Sequence, residues 1–154
     1  MSAQQERIVA NVVVPLDFPY NYRVGPYIER YIKGLGEKKI LGVKCPGDAS
    51  VIVPPRKICG KCNAEMSEWV EVGPEGTIEN YTIGHVNLNL GLVEKADTEY
   101  VLALIKLDGA TSLIPAVVKG VAPTDVEKGM KVKAVFKDPA EDSLADLSHF
   151  ELAG

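Results

Sequence analysis

The chain is poor in the residues that most often carry chemistry. Its 154 residues include two histidines, three cysteines, one tryptophan and three phenylalanines. An odd cysteine count argues against a disulfide framework and points to a metal clip or a redox pair. No apolar run approaches the length that spans a bilayer. The opening, "MSAQQERIVANVVV", lacks the basic-then-apolar order of a signal peptide, so a cytoplasmic protein is expected. A Walker loop, a GxGxxG turn and a supported Ser-His-Asp set are also missing, so the chain is not expected to be catalytic alone. His85 ends an expected strand, where a lone histidine is more often packed or capping than a base. There is no internal repeat and no low-complexity tract.

The apolar share, 46%, is ordinary and supports a packed core. Net charge is −4, unevenly spread. Lys33, Lys38, Lys39, Lys44, Arg56, Lys57 and Lys61 lie in one stretch with only Glu37 and Asp48 against them. Such a patch could meet a nucleic acid, a phosphate-bearing cofactor or an acidic partner. Equally, lysines beside thiolates offset their negative charge.

Four parts follow along the chain. An extended lead, Ile8 to Pro19, is rich in Val and Ile. A short helix follows, with Pro26 in its first turn and an apolar stripe of Tyr27, Ile28, Tyr31, Ile32 and Leu35. Gly34 and Gly36 are its expected stop signals. The stripe either covers the protein's own core or docks on another chain. The third part holds the cysteines. The fourth, from Trp69 onward, reads as strands: Thr77 to Val86, Tyr100 to Leu107, Thr111 to Val118, Met130 to Phe136 and Leu147 to Leu152. Asp108-Gly109 is a tight hairpin signal. Thr124 to Glu127 fits a capping box, which predicts a helical turn before the fourth strand. Five short strands with that turn suit a Greek-key barrel of the OB type, with a small β-sandwich as the rival. The expected division is 1–40 for the extension and helix, 41–68 for a ribbon and 69–154 for the barrel. The fold class is thus mainly β.

"KCPGDASVIVPPRKICGKC", residues 44–62, contains every cysteine. Cys59 and Cys62 form one C-x-x-C knuckle, and Cys45-Pro46-Gly47-Asp48 has the same length and turn-forming interior. Two such turns can aim four side chains at one tetrahedral ion, and carboxylate oxygen is an accepted zinc ligand. The expected ligands are Cys45, Asp48, Cys59 and Cys62, and the zinc would be structural, because neither histidine lies in the ribbon to serve an open site. Two alternatives stand beside this. Cys59 and Cys62 could be a redox pair, although the usual βαβ pattern is absent, or Asp48 could be a solvated turn residue.

The order of motifs resembles a known family. The C-x-x-(C or D) knuckle leads to "PPR" (Pro54, Pro55, Arg56), then C-x-x-C, then "EWVEVGPEGTIENYTI", "VLALIKLDG", Gly120 and "GMKV". This is similar to the small zinc-ribbon/OB-fold proteins that accompany thiolases and related acyl-CoA enzymes. Asp48 departs from the pattern, where a cysteine is usual. The resemblance implies a helix, a rubredoxin-like zinc ribbon and an OB-fold in that order. It also implies a hetero-oligomer with a thiolase-fold subunit that carries the catalytic cysteine and histidines. The small subunit stabilises that complex and helps shape its acyl-CoA channel. Arg56 and Lys57 are the candidates for CoA phosphates, or alternatively balance charge and pack on Trp69. Candidate partner contacts are Tyr27, Ile28, Tyr31 and Ile32 on the helix, and Leu88, Leu90 and Leu92 on a long hairpin arm. The competing reading, a single-stranded nucleic-acid binder, is disfavoured by an acidic barrel with few aromatics among basic residues.

Overall fold

A computed structural model describes residues 22–89 and 92–153, with side chains described outside 88–95. Helix α1 spans Gly25–Gly36, with Pro26 in its first turn. Tyr31 and Leu35 are buried in the main core, while Tyr27, Ile28 and Ile32 are half-buried. The apolar stripe therefore packs largely on the protein's own core. The helix ends at Gly36, one of the two expected stop signals, while Gly34 lies inside it. Gly34 permits close approach, since a Cβ there would lie 2.9 Å from the Leu41 side chain. Beyond the helix the chain reverses at Lys38, with φ +62°.

Three strands follow: β1 (Ile40–Lys44), β2 (Val51–Ile52) and β3 (Glu68–Val72). They form an antiparallel sheet in the order β2-β1-β3, with Val43 opposite both Ile52 and Trp69. Trp69 thus begins in the ribbon sheet rather than in the barrel.

The barrel comprises β4 (Glu75–Asn89), β5 (Leu92–Leu107), β6 (Ile114–Lys119), β7 (Lys131–Phe136) and β8 (Leu147–Leu152). It closes in the order β4-β5-β6-β8-β7, with β6 and β8 parallel and the other neighbours antiparallel. This is the five-stranded OB arrangement, closed between β6 and β8 by the pairs Val118↔Phe150 and Lys119↔Glu151. Alternation places Val101, Ala103, Ile105 and Leu107 inside, around a fully buried Phe150. Ile40, Val51, Val53 and Val72 of the ribbon sheet join the same core.

Three expectations need correction. The first two barrel strands are long, not short, and pair with each other as far as Asn89↔Leu92. The hairpin signal at Asp108-Gly109 does form a turn, with Ala110 N–H bonded to Leu107 O, but pairing of β5 with β6 starts only at Ile105↔Ile114. Thr111 and Ser112 bond to Val51 and Val53 instead. No helical turn forms at 124–127. Thr124 Oγ1 donates to Asp125 Oδ1, while Glu127 N–H meets Met130 Sδ, so the capping box is not made. Instead, Gly129 N–H and Met130 O pair with Ile78. The 3-10 turn of the barrel is Leu144–Asp146, before the fifth strand, closed by a capping box of Ser143 and Asp146.

Candidate functional site

The cysteine segment folds as two matching turns. Cys45 N–H donates to Ser50 O at 2.8 Å, and Ala49 N–H donates back to Cys45 O at 3.0 Å. In the second turn, Cys59 N–H donates to Ala64 O at 2.9 Å and Asn63 N–H to Cys59 O at 3.1 Å. The residues at matching places, Ala49 and Asn63, both take a left-handed backbone, φ +57° and +58°. Asp48 therefore occupies the place in the first turn that Cys62 occupies in the second. β1 delivers Cys45 directly, and the bridge Ile58↔Glu65 closes the second turn.

The two turns bring all three sulfurs within 4.8 Å of one another, with Cys45 Sγ and Cys62 Sγ at 3.4 Å. Thiolates held at zinc distance in a tetrahedron lie about 3.8 Å apart, so the cluster suits one such ion. Gly47 makes room for it: a Cβ there would lie 3.1 Å from Cys62 Sγ and 3.8 Å from Cys45 Sγ. Cys45 and Cys59 are buried and Cys62 is exposed. Val43, Cys45, Cys59 and Met66 form a small apolar cluster of their own, with Tyr27, Ile52 and Trp69 against it.

The surroundings treat the thiols differently. The N–H groups of Cys62 and Lys61 point toward Cys59 and pull its thiol down to about 7. At Cys45, the Asp48 N–H favours the thiolate, but burial and the adjoining sulfurs outweigh it and push the group up to about 11. Asp48 lies outside the sulfur cluster. Its Oδ1 accepts hydrogen bonds from the Ser50 hydroxyl and N–H, and its Oδ2 is 3.7 Å from Lys61 Nζ. The Ser50 hydroxyl and N–H, then the Cys45 thiol, hold this carboxyl down to about 2.

The basic stretch is largely self-neutralised. Lys33, Lys38, Lys39, Lys44, Lys57 and Lys61 each have a carboxylate within 4 Å: Glu29, Asp138, Glu37, Glu68, Glu65 and Asp48. Among the described residues only Arg56 of that stretch lacks an ion pair. Arg56 and Lys57 are exposed and line a hollow of about 460 Å³ with Val24, Gly25, Tyr27 and Pro55. Neither covers Trp69. That ring stacks on Tyr27 at 5.4 Å, and the guanidinium over it, at 4.4 Å, belongs to Arg30. His85 pairs with Glu99 at 3.2 Å, both exposed. Leu90 lies outside the described residues, as do the side chains of Leu88 and Leu92.

Sequence reasoning missed the clamp that fixes the ribbon on the barrel. Val51 N–H donates to Thr111 Oγ1, and Thr111 N–H returns to Val51 O. Ser112 Oγ accepts from Val53 N–H at 2.7 Å and donates to Val53 O at 2.8 Å. These bonds satisfy the backbone of β2 and the residue beyond it. Adjacent hydroxyl residues opening an expected strand were the only available signal.

Comparisons with known proteins agree with this architecture. Residues 69–137 match the family model of the ChsH2 C-terminal OB-fold domain. A DUF35 domain-containing scaffold protein of Methanocaldococcus jannaschii is 34% identical over 104 residues, 67% of this chain and 71% of the relative. A crystal structure of a DUF35-family protein of unknown function from Sulfolobus solfataricus aligns at TM-score 0.63 with 25% identity, over 84% of this chain and 87% of the other. The Ltp2-ChsH2(DUF35) aldolase also aligns at TM-score 0.63, over 87% of this chain and 100% of that one; at 19% identity it shows the fold alone. With its three-stranded sheet, barrel and clustered cysteines, the chain belongs to the DUF35 family, and its residues 69–137 form an OB-fold domain of the ChsH2 type.

Proposed function

We propose that this chain is a non-catalytic subunit that stabilises a thiolase-fold partner in an acyl-CoA thiolase complex and helps shape that partner's CoA and acyl channel. The reaction is CoA-dependent cleavage of a 3-oxoacyl-CoA, or the reverse condensation, with the nucleophilic cysteine on the partner. The likeness to a curated scaffold protein over two thirds of the chain carries this reading. The name of the Ltp2-ChsH2(DUF35) aldolase, which joins a DUF35 protein to a second component, is in keeping with it. The stretch "PLDFPYNYRVGPYIERYIKG" looks like the small subunit of 2-benzoylsuccinyl-CoA thiolase from anaerobic toluene breakdown, and 2-benzoylsuccinyl-CoA is the substrate we assign.

In this reading Cys45, Cys59 and Cys62 hold a structural zinc and Asp48 supplies the fourth ligand, giving the ribbon at 41–68 a shape its small apolar cluster could not hold alone. Arg56 and Lys57 meet CoA phosphates at the edge of the helix hollow. Tyr27, Ile28 and Ile32, which keep exposed surface, and the hairpin residues Leu88, Leu90 and Leu92 face the partner. Tyr31 is buried and acts from behind them.

Co-expression with a thiolase-like subunit encoded beside this chain tests the reading. A stable hetero-oligomer is expected, with thiolase activity in the complex and none in this chain alone. Salt-sensitive oligonucleotide binding at micromolar concentration, without such a complex, would favour the nucleic-acid alternative. Cys59→Ser should release the metal and abolish co-purification. If assembly survives that change, the metal does not shape the docking surface.

A further inference from the structure

The two cysteine turns are built alike but differ at a linked pair of residues. Counting from Cys45 and from Cys59, Asp48 matches Cys62 and Ser50 matches Ala64. Where the first turn has a carboxylate in place of a thiol, it also has a hydroxyl, two residues on, in place of a bare methyl group. Both turns close by the same backbone bonds. Cys45 N–H donates to Ser50 O and Ala49 N–H to Cys45 O, as Cys59 N–H does to Ala64 O and Asn63 N–H to Cys59 O. Alanine suffices for that closure in the second turn, so the backbone of the first does not call for the Ser50 hydroxyl.

The hydroxyl engages the carboxylate instead. Ser50 is 6% exposed, and its Oγ and its N–H both donate to Asp48 Oδ1. The Cys45 thiol also acts on this carboxyl, which therefore borders the sulfur cluster. Asp48 Oδ2 has Lys61 Nζ at 3.7 Å, on a side chain that is 71% exposed. An exposed lysine at that range holds a carboxylate weakly, so Oδ2 is the oxygen left for an ion. Cysteine places its sulfur with one side-chain torsion, whereas aspartate places its oxygens with two. A carboxylate free to turn loses that freedom on binding a metal, and a hydrogen bond behind it removes the loss in advance. The structure assigns Ser50 as the positioning residue for the fourth metal ligand: it pins Asp48 Oδ1 and leaves Oδ2 for the ion held by Cys45, Cys59 and Cys62. Asp48 and Ser50 together then stand in for one cysteine. This rests on the reading that Asp48 is the fourth ligand.

Zinc competition against a chromophoric chelator, on the full chain, tests the assignment by a double-mutant comparison. Ser50→Ala should weaken zinc binding about ten-fold. In an Asp48→Cys background, where sulfur replaces the carboxylate, the same Ser50→Ala change should leave the affinity unaltered. An equal loss in both backgrounds would overturn the assignment, because Ser50 would then support the turn whatever its ligand. If Asp48→Ala weakens binding and Ser50→Ala does not, the assignment falls while the reading of the fourth ligand stands. If Asp48→Ala leaves zinc binding unchanged, both fall. Cobalt substitution gives a second readout that a loss of stability alone would not move. The visible absorption bands of cobalt-loaded Ser50→Ala should shift from the parent's toward those of Asp48→Ala, and a parent-like spectrum contradicts the assignment.

Discussion

At the scale of single residues, the two turns differ where their roles diverge. Asp48 stands where Cys62 stands in the second turn, and one of its oxygens is committed to Ser50. If the other completes the metal site, Asp48→Ala should weaken zinc binding at least about ten-fold, and Asp48→Cys should strengthen it. Competition against a chromophoric chelator reads both. Ala49 takes the left-handed conformation that Asn63 takes in the other turn. An L-residue with an ordinary side chain pays about 1 kcal/mol there, and asparagine pays less. Ala49 is exposed, so Ala49→Asn should stabilise the metal-loaded chain by about 0.5 kcal/mol in denaturant titration. Gly47 has less room, because a Cβ there would press on Cys62 Sγ at 3.1 Å.

Between elements, three joints hold the parts in place. The first is Ser112, which both accepts from and donates to the buried Val53 backbone. Ser112→Ala leaves that N–H and carbonyl unsatisfied and should cost about 1–3 kcal/mol, read by chemical unfolding. The second is Asp146, fully buried at the 3-10 turn beside the end of α1. It accepts from Glu141 N–H at 2.9 Å and Ser143 N–H at 3.1 Å. The Glu141 N–H first, then the Ser143 N–H and the Lys137 charge, outweigh burial and lower its pKa from the usual value. A carboxyl lowered on folding stabilises the fold above its unfolded value, near 3.9, and loses that contribution as pH falls through its depressed folded value. Thermal melts should therefore show Asp146→Asn well below the parent at pH 7, with the gap closing below pH 4. A gap independent of pH would assign the loss to packing rather than charge. A third joint sits at the base of the hairpin arm. The Tyr100 ring covers Gly84 across the strands so closely that a Cβ at 84 would overlap it, and its hydroxyl reaches Val86 O at 2.9 Å.

For the molecule as a whole, the readable features were those set by local pattern. Alternation in "VLALIKL" marked β5, the i, i+3, i+4 stripe marked α1, and β8 has the bounds its residues suggested. The cysteine spacing foretold a cluster because each knuckle is a closed local turn. Long-range choices were not readable. Thr111 and Ser112 have strand-like composition, yet serve β2, and nothing near them in sequence says so. The partner of Trp69 was misjudged because Arg30 arrives from a helix far along the chain. The capping box at Thr124 is not made because Met130 Sδ takes the Glu127 N–H and Asp125 takes the Thr124 hydroxyl. Gly34 looked like a stop because its close contact with Leu41 depends on how α1 lies against β1.

Native mass spectrometry of this chain co-expressed with its thiolase-like neighbour tests the central claim most directly. The account predicts a hetero-oligomer with one zinc ion for each copy of this chain, and loss of both zinc and partner in Cys59→Ser. A metal-free chain that remains by itself beside the expressed neighbour would contradict it.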